Sequence, residues 1–266
     1  MVNGNNSNGK RVSISIGPVS SLEEYVRPDW WNKGVFNSNY LKTDGDMIDD
    51  PNITRQEIDY FLSILNPSLD DKILDLCCGQ GRHSLELNRR GYKNIEGLDR
   101  SHYLIQRAKN TAKKDGLNIK FREGDARKLI GYQPDDFDIV MILGNSFGYF
   151  ENRQDDLNVL KEVSRVLKPK GKILLDITDG DYVKKNLQSR SWEWIDKKLF
   201  VARERSLSNN GERLISREVI THIDKGVVDD HFYAERLYNE KGLQELLEEA
   251  GFSNFYLHSS ISPDSL

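Results

Sequence analysis

A chain of 266 residues has room for one α/β domain carrying an inserted or appended substrate-binding element, and two independent domains are a tight fit. With 30% charged and 37% hydrophobic residues it is polar, yet too rich in apolar runs to be disordered. A net charge of −4 offers no general attraction for a phosphate backbone, no apolar run reaches the roughly 18 residues of a membrane span, and the Asn- and Gly-rich start is unlike a secretory signal. The chain therefore reads as cytoplasmic, with neither nucleic acid nor membrane as partner.

Residues 1–10 read as a disordered tail, and Arg11–Ile16 alternates polar and apolar like a short strand in search of a sheet edge, stopped by Gly17-Pro18. An aromatic-rich stretch follows, with Tyr25, Trp30, Trp31, Phe36 and Tyr40, and residues 1–50 are taken as tail and lid. Thr54 reads as the cap of a helix over Gln56–Leu65 rather than as part of a glycosylation site. From Lys72 apolar runs at Ile73–Leu76, Ile95–Leu98, Ile119–Phe121, Phe137–Leu143 and Ile173–Ile177 alternate with helical patterns, the mark of a parallel sheet.

After Asp181 the pattern changes. Trp192–Arg205, Arg213–Ile223 and Val227–Tyr238 are β-branched and aromatic, with Asn209-Asn210-Gly211 and Lys225-Gly226 as turns, so a three-stranded antiparallel insertion is predicted. Glu240–Ala250 is a helix stopped by Gly251, and Phe252–His258 a last strand. The fold class is α/β: a Rossmann-like, doubly wound, mostly parallel sheet with that insertion. The expected boundaries are 51–182 for the core, 183–238 for the insertion and 239–266 for the end of the core.

The stretch Asp75-Leu76-Cys77-Cys78-Gly79-Gln80-Gly81 runs from a strand into glycines and then a helix. Glycine at 79 and 81 permits a tight turn and lets the backbone approach a ligand at the carboxyl edge of the sheet. The next strand ends in Asp99, where a carboxylate can accept from both hydroxyls of a ribose; the competing reading is a cap on the following helix. The third glycine of a dinucleotide fingerprint is absent, since position 84 is Ser, so a nicotinamide or flavin enzyme is disfavoured. Cys77 and Cys78 read as small turn residues, ill placed for a disulfide or a zinc site, and no metal ligands are assigned.

The arrangement resembles motif I of the class I S-adenosylmethionine-dependent methyltransferases. Gly124-Asp125-Ala126, the strand Phe137–Val140 running to Gly144-Asn145-Ser146, and Arg165–Lys172 resemble that family's later stations. The resemblance implies S-adenosylmethionine as cofactor, S-adenosylhomocysteine as product and no metal. It also implies a cofactor site of Asp75, Gly79, Gly81, Asp99, Arg100, Asp125, Ala126, Leu143 and Asn145, with Asp125 alternatively a turn residue. By the same resemblance the sheet should end in a hairpin, but only eight residues follow His258; the seventh strand is absent, and the chain is a candidate fragment of a longer one.

Activated by sulfonium, the methyl group needs mainly alignment with its acceptor and exclusion of water. Trp30, Trp31, Phe147, Tyr149, Tyr233 and Arg236 are candidates to line an acceptor site. His83, Tyr149 and His231 are candidate bases, required only for a hydroxyl, an acidic carbon or a protonated amine. The reading is transfer of methyl to the nitrogen or oxygen of a small molecule. Protein or RNA methylation, a non-methylating binder of the cofactor and a cyclising enzyme remain as alternatives, and neither the acceptor nor the oligomeric state is read from the sequence.

Overall fold

The computed structural model describes residues 4–5, 11–12, 15–32, 34–43 and 50–258. Asp50-Pro51 starts the first long helix, α1 (Pro51–Leu65): the Asp50 carboxylate accepts from the Asn52 N–H at 2.7 Å, and proline tolerates the first helical turn. The cap is thus Asp50 rather than Thr54, which lies one turn inside and bonds back to the Asp50 carbonyl. Ile58, Phe61 and Leu65, three and four apart, form the buried stripe of α1.

Five parallel strands follow: β1 (Ile73–Leu76), β2 (Ile95–Asp99), β3 (Lys120–Glu123), β4 (Phe137–Ile142) and β5 (Leu167–Leu175). Between them run α2 (Arg82–Arg89), α3 (His102–Lys114) and α4 (Arg153–Val166). The sheet order is β3-β2-β1-β4-β5. The chain walks outward from β1 to β3 and then returns to lay β4 on the other side of β1. This reversal opens a crevice at the carboxyl ends of β1 and β4, where α/β sheets take their ligands. One core cluster joins Ile58, Phe61 and Leu65 to Leu87, Ile73, Ile95, Ile139 and Met141; a second joins Leu85, Ile105, Ala108 and Ala112 to Cys78 and Phe121.

The chain divides into two units, and the parallel sheet belongs to the one drawn from residues 44–147, 151–177 and 240–266. The second unit draws on residues 1–43, 148–150 and 178–239, so the aromatic-rich N-terminal segment and the insertion fall together. Its sheet has four antiparallel strands rather than three: β6 (Arg190–Trp194), β7 (Leu199–Leu207), β8 (Arg213–His222) and β9 (Gly226–Arg236), in the order β9-β8-β7-β6. The segment read as one strand is broken because the Asp196 carboxylate accepts from the N–H groups of Lys198 and Leu199 at 2.6 and 2.7 Å, folding it into a hairpin.

Two expected strands differ as well. Beyond the last helix, α5 (Glu240–Glu249), residues 252–258 pair with no strand: Asn254 takes a left-handed φ of 62°, and Tyr256 and Leu257 are exposed. Extended backbone without a ladder partner has no sheet to join. Arg11–Val12 pairs with Gly4–Asn5, not with an edge of either larger sheet, while residues 13–14 and the rest of the expected disordered tail lie outside the described residues. Among the described residues, no helix is long and apolar enough to cross a membrane.

Candidate active site

The turn after β1 is built from backbone that few residues adopt. Cys77, Gly79 and Gly81 have φ of 62°, 55° and 79°, and Gly81 stands at the N-terminus of α2. The two glycines serve different ends. A Cβ on Gly81 would lie 2.7 Å from the Phe121 ring, so this position is small because β3 packs against it. A Cβ on Gly79 would meet nothing closer than Leu104 Cδ1 at 3.9 Å, which leaves its surface open to a ligand's approach.

Asp99, at the end of β2, binds this turn directly. Its Oδ2 accepts from the Gly79 N–H at 2.9 Å and its Oδ1 from the Ser101 N–H at 2.7 Å. The helix cap of α3 is Ser101, whose hydroxyl accepts from the Leu104 N–H at 3.2 Å. Burial pushes the Asp99 carboxyl up to about 6, helped by the charge of Asp75 and opposed by its N–H donors. Each oxygen keeps a lone pair beyond these bonds, so the carboxylate can both hold the turn and accept from a diol. Arg100, half-exposed, leans on Glu123 at 3.4 Å.

Asp75 is buried within β1 and accepts from Ser84 Oγ at 2.6 Å, fastening the first turn of α2; burial raises its pKa against the influence of His83 and Ser84. Asp125 is gripped by Arg127 through Nε at 3.0 Å and Nη2 at 2.7 Å; burial would raise its pKa, but this pair holds it below the usual carboxylate range. Ala126 and Leu143 are buried. Gly144 and Asn145 turn the chain after β4 with φ of 62° and 56°. Asp176, which the sequence analysis did not single out, holds that turn: its carboxylate accepts from the Gly144 N–H at 2.9 Å and its carbonyl from the Asn145 N–H at 3.0 Å.

His83 is not placed as a base. It is 5% exposed, lies edge-on to Phe61, and its Nε2 sits 3.0 Å from Glu57 Oε2. Arg82 pairs with the same carboxylate and reaches Thr54 at 3.2 Å. Burial would raise the Glu57 pKa, but His83 and Arg82 bring it down to about 2. These residues weld α1 to α2. Glu57 and Arg82 escaped the sequence reading because partners 25 residues apart leave no local spacing signal. The thiols of Cys77 and Cys78 are pushed up by burial and by Asp99 and Asp75, so neither is a nucleophile.

In the second unit, Trp30, Phe36, Tyr149 and Tyr233 form one aromatic cluster, with Trp30 centred 5.1 Å from Tyr149 and 5.7 Å from Tyr233, and Phe36 stacked 5.9 Å from Tyr149. Trp30 is 4% exposed, and its buried Nε1 donor meets no acceptor among the described residues. Gly148, with φ 88°, accepts from the Arg236 N–H at 2.7 Å, bringing the Tyr149 loop to β9. Trp31 meets Phe150 edge-on instead of joining the cluster, Arg236 pairs with Glu212 at 2.9 Å, and Phe147 is buried in the other unit.

His231 lies beside Tyr233, with Nδ1 3.5 Å from Asp229 and Nε2 3.5 Å from Glu218. Burial would lower its pKa, but the two carboxylates raise it to about 9. A ring held protonated by two carboxylates suits a fixed cation better than a base.

A methyltransferase-domain family model matches residues 73–171. Over 202 residues, 73% of this chain and 72% of that protein, the chain is 31% identical to the demethylmenaquinone methyltransferase of Lactobacillus johnsonii. The chain belongs to the class I S-adenosylmethionine-dependent methyltransferases. This methyltransferase is also 30% identical over 136 residues to the glycine/sarcosine N-methyltransferase of Halorhodospira halochloris, a match that covers 51% of the chain and half the length of that relative. An S-adenosylmethionine-dependent methyltransferase from Clostridium acetobutylicum shares its fold, with a TM-score of 0.66 at 21% identity over 80% of this chain and 86% of that one.

Proposed function

We propose that this methyltransferase moves a methyl group to the nitrogen or oxygen of a small molecule, and that the Trp30, Phe36, Tyr149 and Tyr233 cluster binds that molecule. The observation that carries the reading is the buried Trp30 Nε1 inside that cluster, which has no acceptor among the described residues. An unsatisfied buried donor costs about 1–3 kcal/mol, a penalty that an acceptor atom on a bound ligand would relieve. Aromatic walls with few polar groups suit a compact, partly apolar molecule better than a polypeptide or an RNA strand. The relatives named above for demethylmenaquinone and for glycine and sarcosine support a small acceptor.

Asp99 would hold the ribose of the cofactor, and the open face of Gly79 would admit its backbone-facing edge. When bound, S-adenosylmethionine supplies a methyl group already activated by positive sulfur. The protein's part is to align the acceptor in line with that bond and to keep water out. His231, held protonated, would place positive charge near Tyr233 and serve as a fixed cation. Tyr149 is left as the candidate to take a proton from a hydroxyl acceptor, whereas an amine arriving neutral needs no base. The chain would work in the cytoplasm.

Incubation with cofactor labelled in its methyl group, together with a panel of amines, quinones and hydroxylated metabolites, a protein extract and total RNA, tests this reading. Label in the low-mass fraction is expected. Label confined to protein or RNA would overturn it.

A further inference from the structure

The strand β6 is one of the two edge strands of the antiparallel sheet among the described residues, the other being β9. Natural edges are usually defended by unpaired charge, proline or a bulge. Here the charges are paired within the sheet: Glu193 with Arg203, while Arg190, itself 82% exposed, leans on Glu204 at 3.4 Å. Trp192 and Trp194 instead project from one face at 68% and 57% exposure, flanking Phe200 with ring centroids 5.8 and 5.5 Å from it. Two exposed tryptophans on a five-residue edge strand are what an interface needs, not what a solvated surface needs.

The ladder between β6 and β7 decides which backbone groups face outward. The Arg205 N–H donates to the Ser189 carbonyl at 2.8 Å and the Ile195 N–H to the Leu199 carbonyl at 2.9 Å. In an antiparallel ladder hydrogen-bonded residues recur at every second position, so 189, 191, 193 and 195 are spent on β7. Arg190, Trp192 and Trp194 therefore turn their N–H and C=O groups to the open edge.

We propose that a second copy of this chain pairs with that edge, β6 against β6, about a two-fold axis at Trp192. In this register Trp192 faces the partner's Trp192, and Arg190 faces the partner's Trp194, twice. All three outward-facing residues then fall at hydrogen-bonding positions, and the two four-stranded sheets become one. A guanidinium opposite an indole and an aromatic pair on the axis are both favourable cross-strand neighbours. On the other face Ser191 comes opposite the partner's Glu193, a hydroxyl donor against a carboxylate. The sequence Arg-Ser-Trp-Glu-Trp is thus complementary to its own reverse.

Sedimentation velocity of the full chain tests the proposal with two variants. Trp192→Glu puts like charges on the axis. Arg190→Pro removes an outward N–H at the first residue of the strand, where proline leaves the β6–β7 ladder whole. The wild type is expected to sediment as a dimer, and both variants as monomers with unchanged circular dichroism and unchanged affinity for S-adenosylhomocysteine. A monomeric wild type, or a dimer persisting in either folded variant, would overturn the proposal; if one variant fails to fold, the other decides.

Discussion

Asp99 holds the glycine turn with the same carboxylate that is proposed to hold the ribose, and burial raises its pKa. Held at about 6 by burial, it still ionises below neutral pH. The sign for stability is unfavourable to the charged form: the contribution is full below the ordinary Asp value and is lost as pH rises through 6. Ligand binding has the opposite sign, because the ionised form accepts from a diol through both oxygens and with charge assistance, whereas the acid turns one oxygen into a donor. Affinity for S-adenosylhomocysteine should therefore strengthen from pH 5 to pH 7.5 in the wild type and stay flat in Asp99→Asn, as titration calorimetry at several pH values would show.

His231 has the reverse profile. Its pKa is raised from 6.5 to about 9, so its stabilisation is fully present below 6.5 and is lost as pH climbs through 9. Replacement by Gln should cost about 2–3 kcal/mol at pH 6 and much less at pH 10, measured by urea unfolding. An equal cost at both pH values would mean that packing, not charge, is what His231 supplies. The titration was not legible in the sequence. Asp229 and His231 stand two apart in an alternating strand, and only the register with Glu218 on β8 adds the second carboxylate.

At the scale of elements, glycines 81 and 97 make room for the Phe121 ring of β3 against β2 and the start of α2. A Cβ on Gly97 would lie 2.6 Å from Phe121 and 2.9 Å from Cys78 Sγ. Gly97→Ala should destabilise the protein by about 1–3 kcal/mol through overpacking, and a second change, Phe121→Leu, should restore most of the loss. Thermal unfolding of the single and double variants checks this. If the double variant loses the sum of the two single changes, the ring is not the obstacle.

Element boundaries were legible wherever periodicity met a strong stop. The run Ile73–Leu76 into glycine and the run ending at Asp99 are both strands whose ends are set by the turn chemistry that follows. The extra strand in the insertion was hidden because Asp196-Lys197-Lys198 carries no glycine or proline, and the turn rests on one aspartate side chain. Residues 252–258 show the converse: they read as a last strand, but a strand exists only where a neighbour pairs with it.

At the scale of the whole molecule, the parallel sheet and its crevice followed from order: apolar runs alternating with helices, then a reversal at β4. What the order of elements could not show was which candidates meet. Trp30, Tyr149 and Tyr233 lie far apart in the chain and come together in the second unit, while Trp31 and Arg236 find other partners there. His83, just inside the helix after the glycine turn, reads either as a candidate base or as a structural residue, and only the fold reveals Glu57 against it.

The most direct test of the account is calorimetric titration of S-adenosylhomocysteine into the wild type and Asp99→Ala at pH 8, with folding of the variant checked by circular dichroism. Losing charge-assisted hydrogen bonds worth roughly 1.5–3 kcal/mol each predicts affinity weaker by at least about tenfold, with NAD failing to bind either protein. Wild-type affinity in a folded Asp99→Ala protein would contradict the ribose contact and, with it, the placement of the cofactor on the Asp75–Gly81 turn.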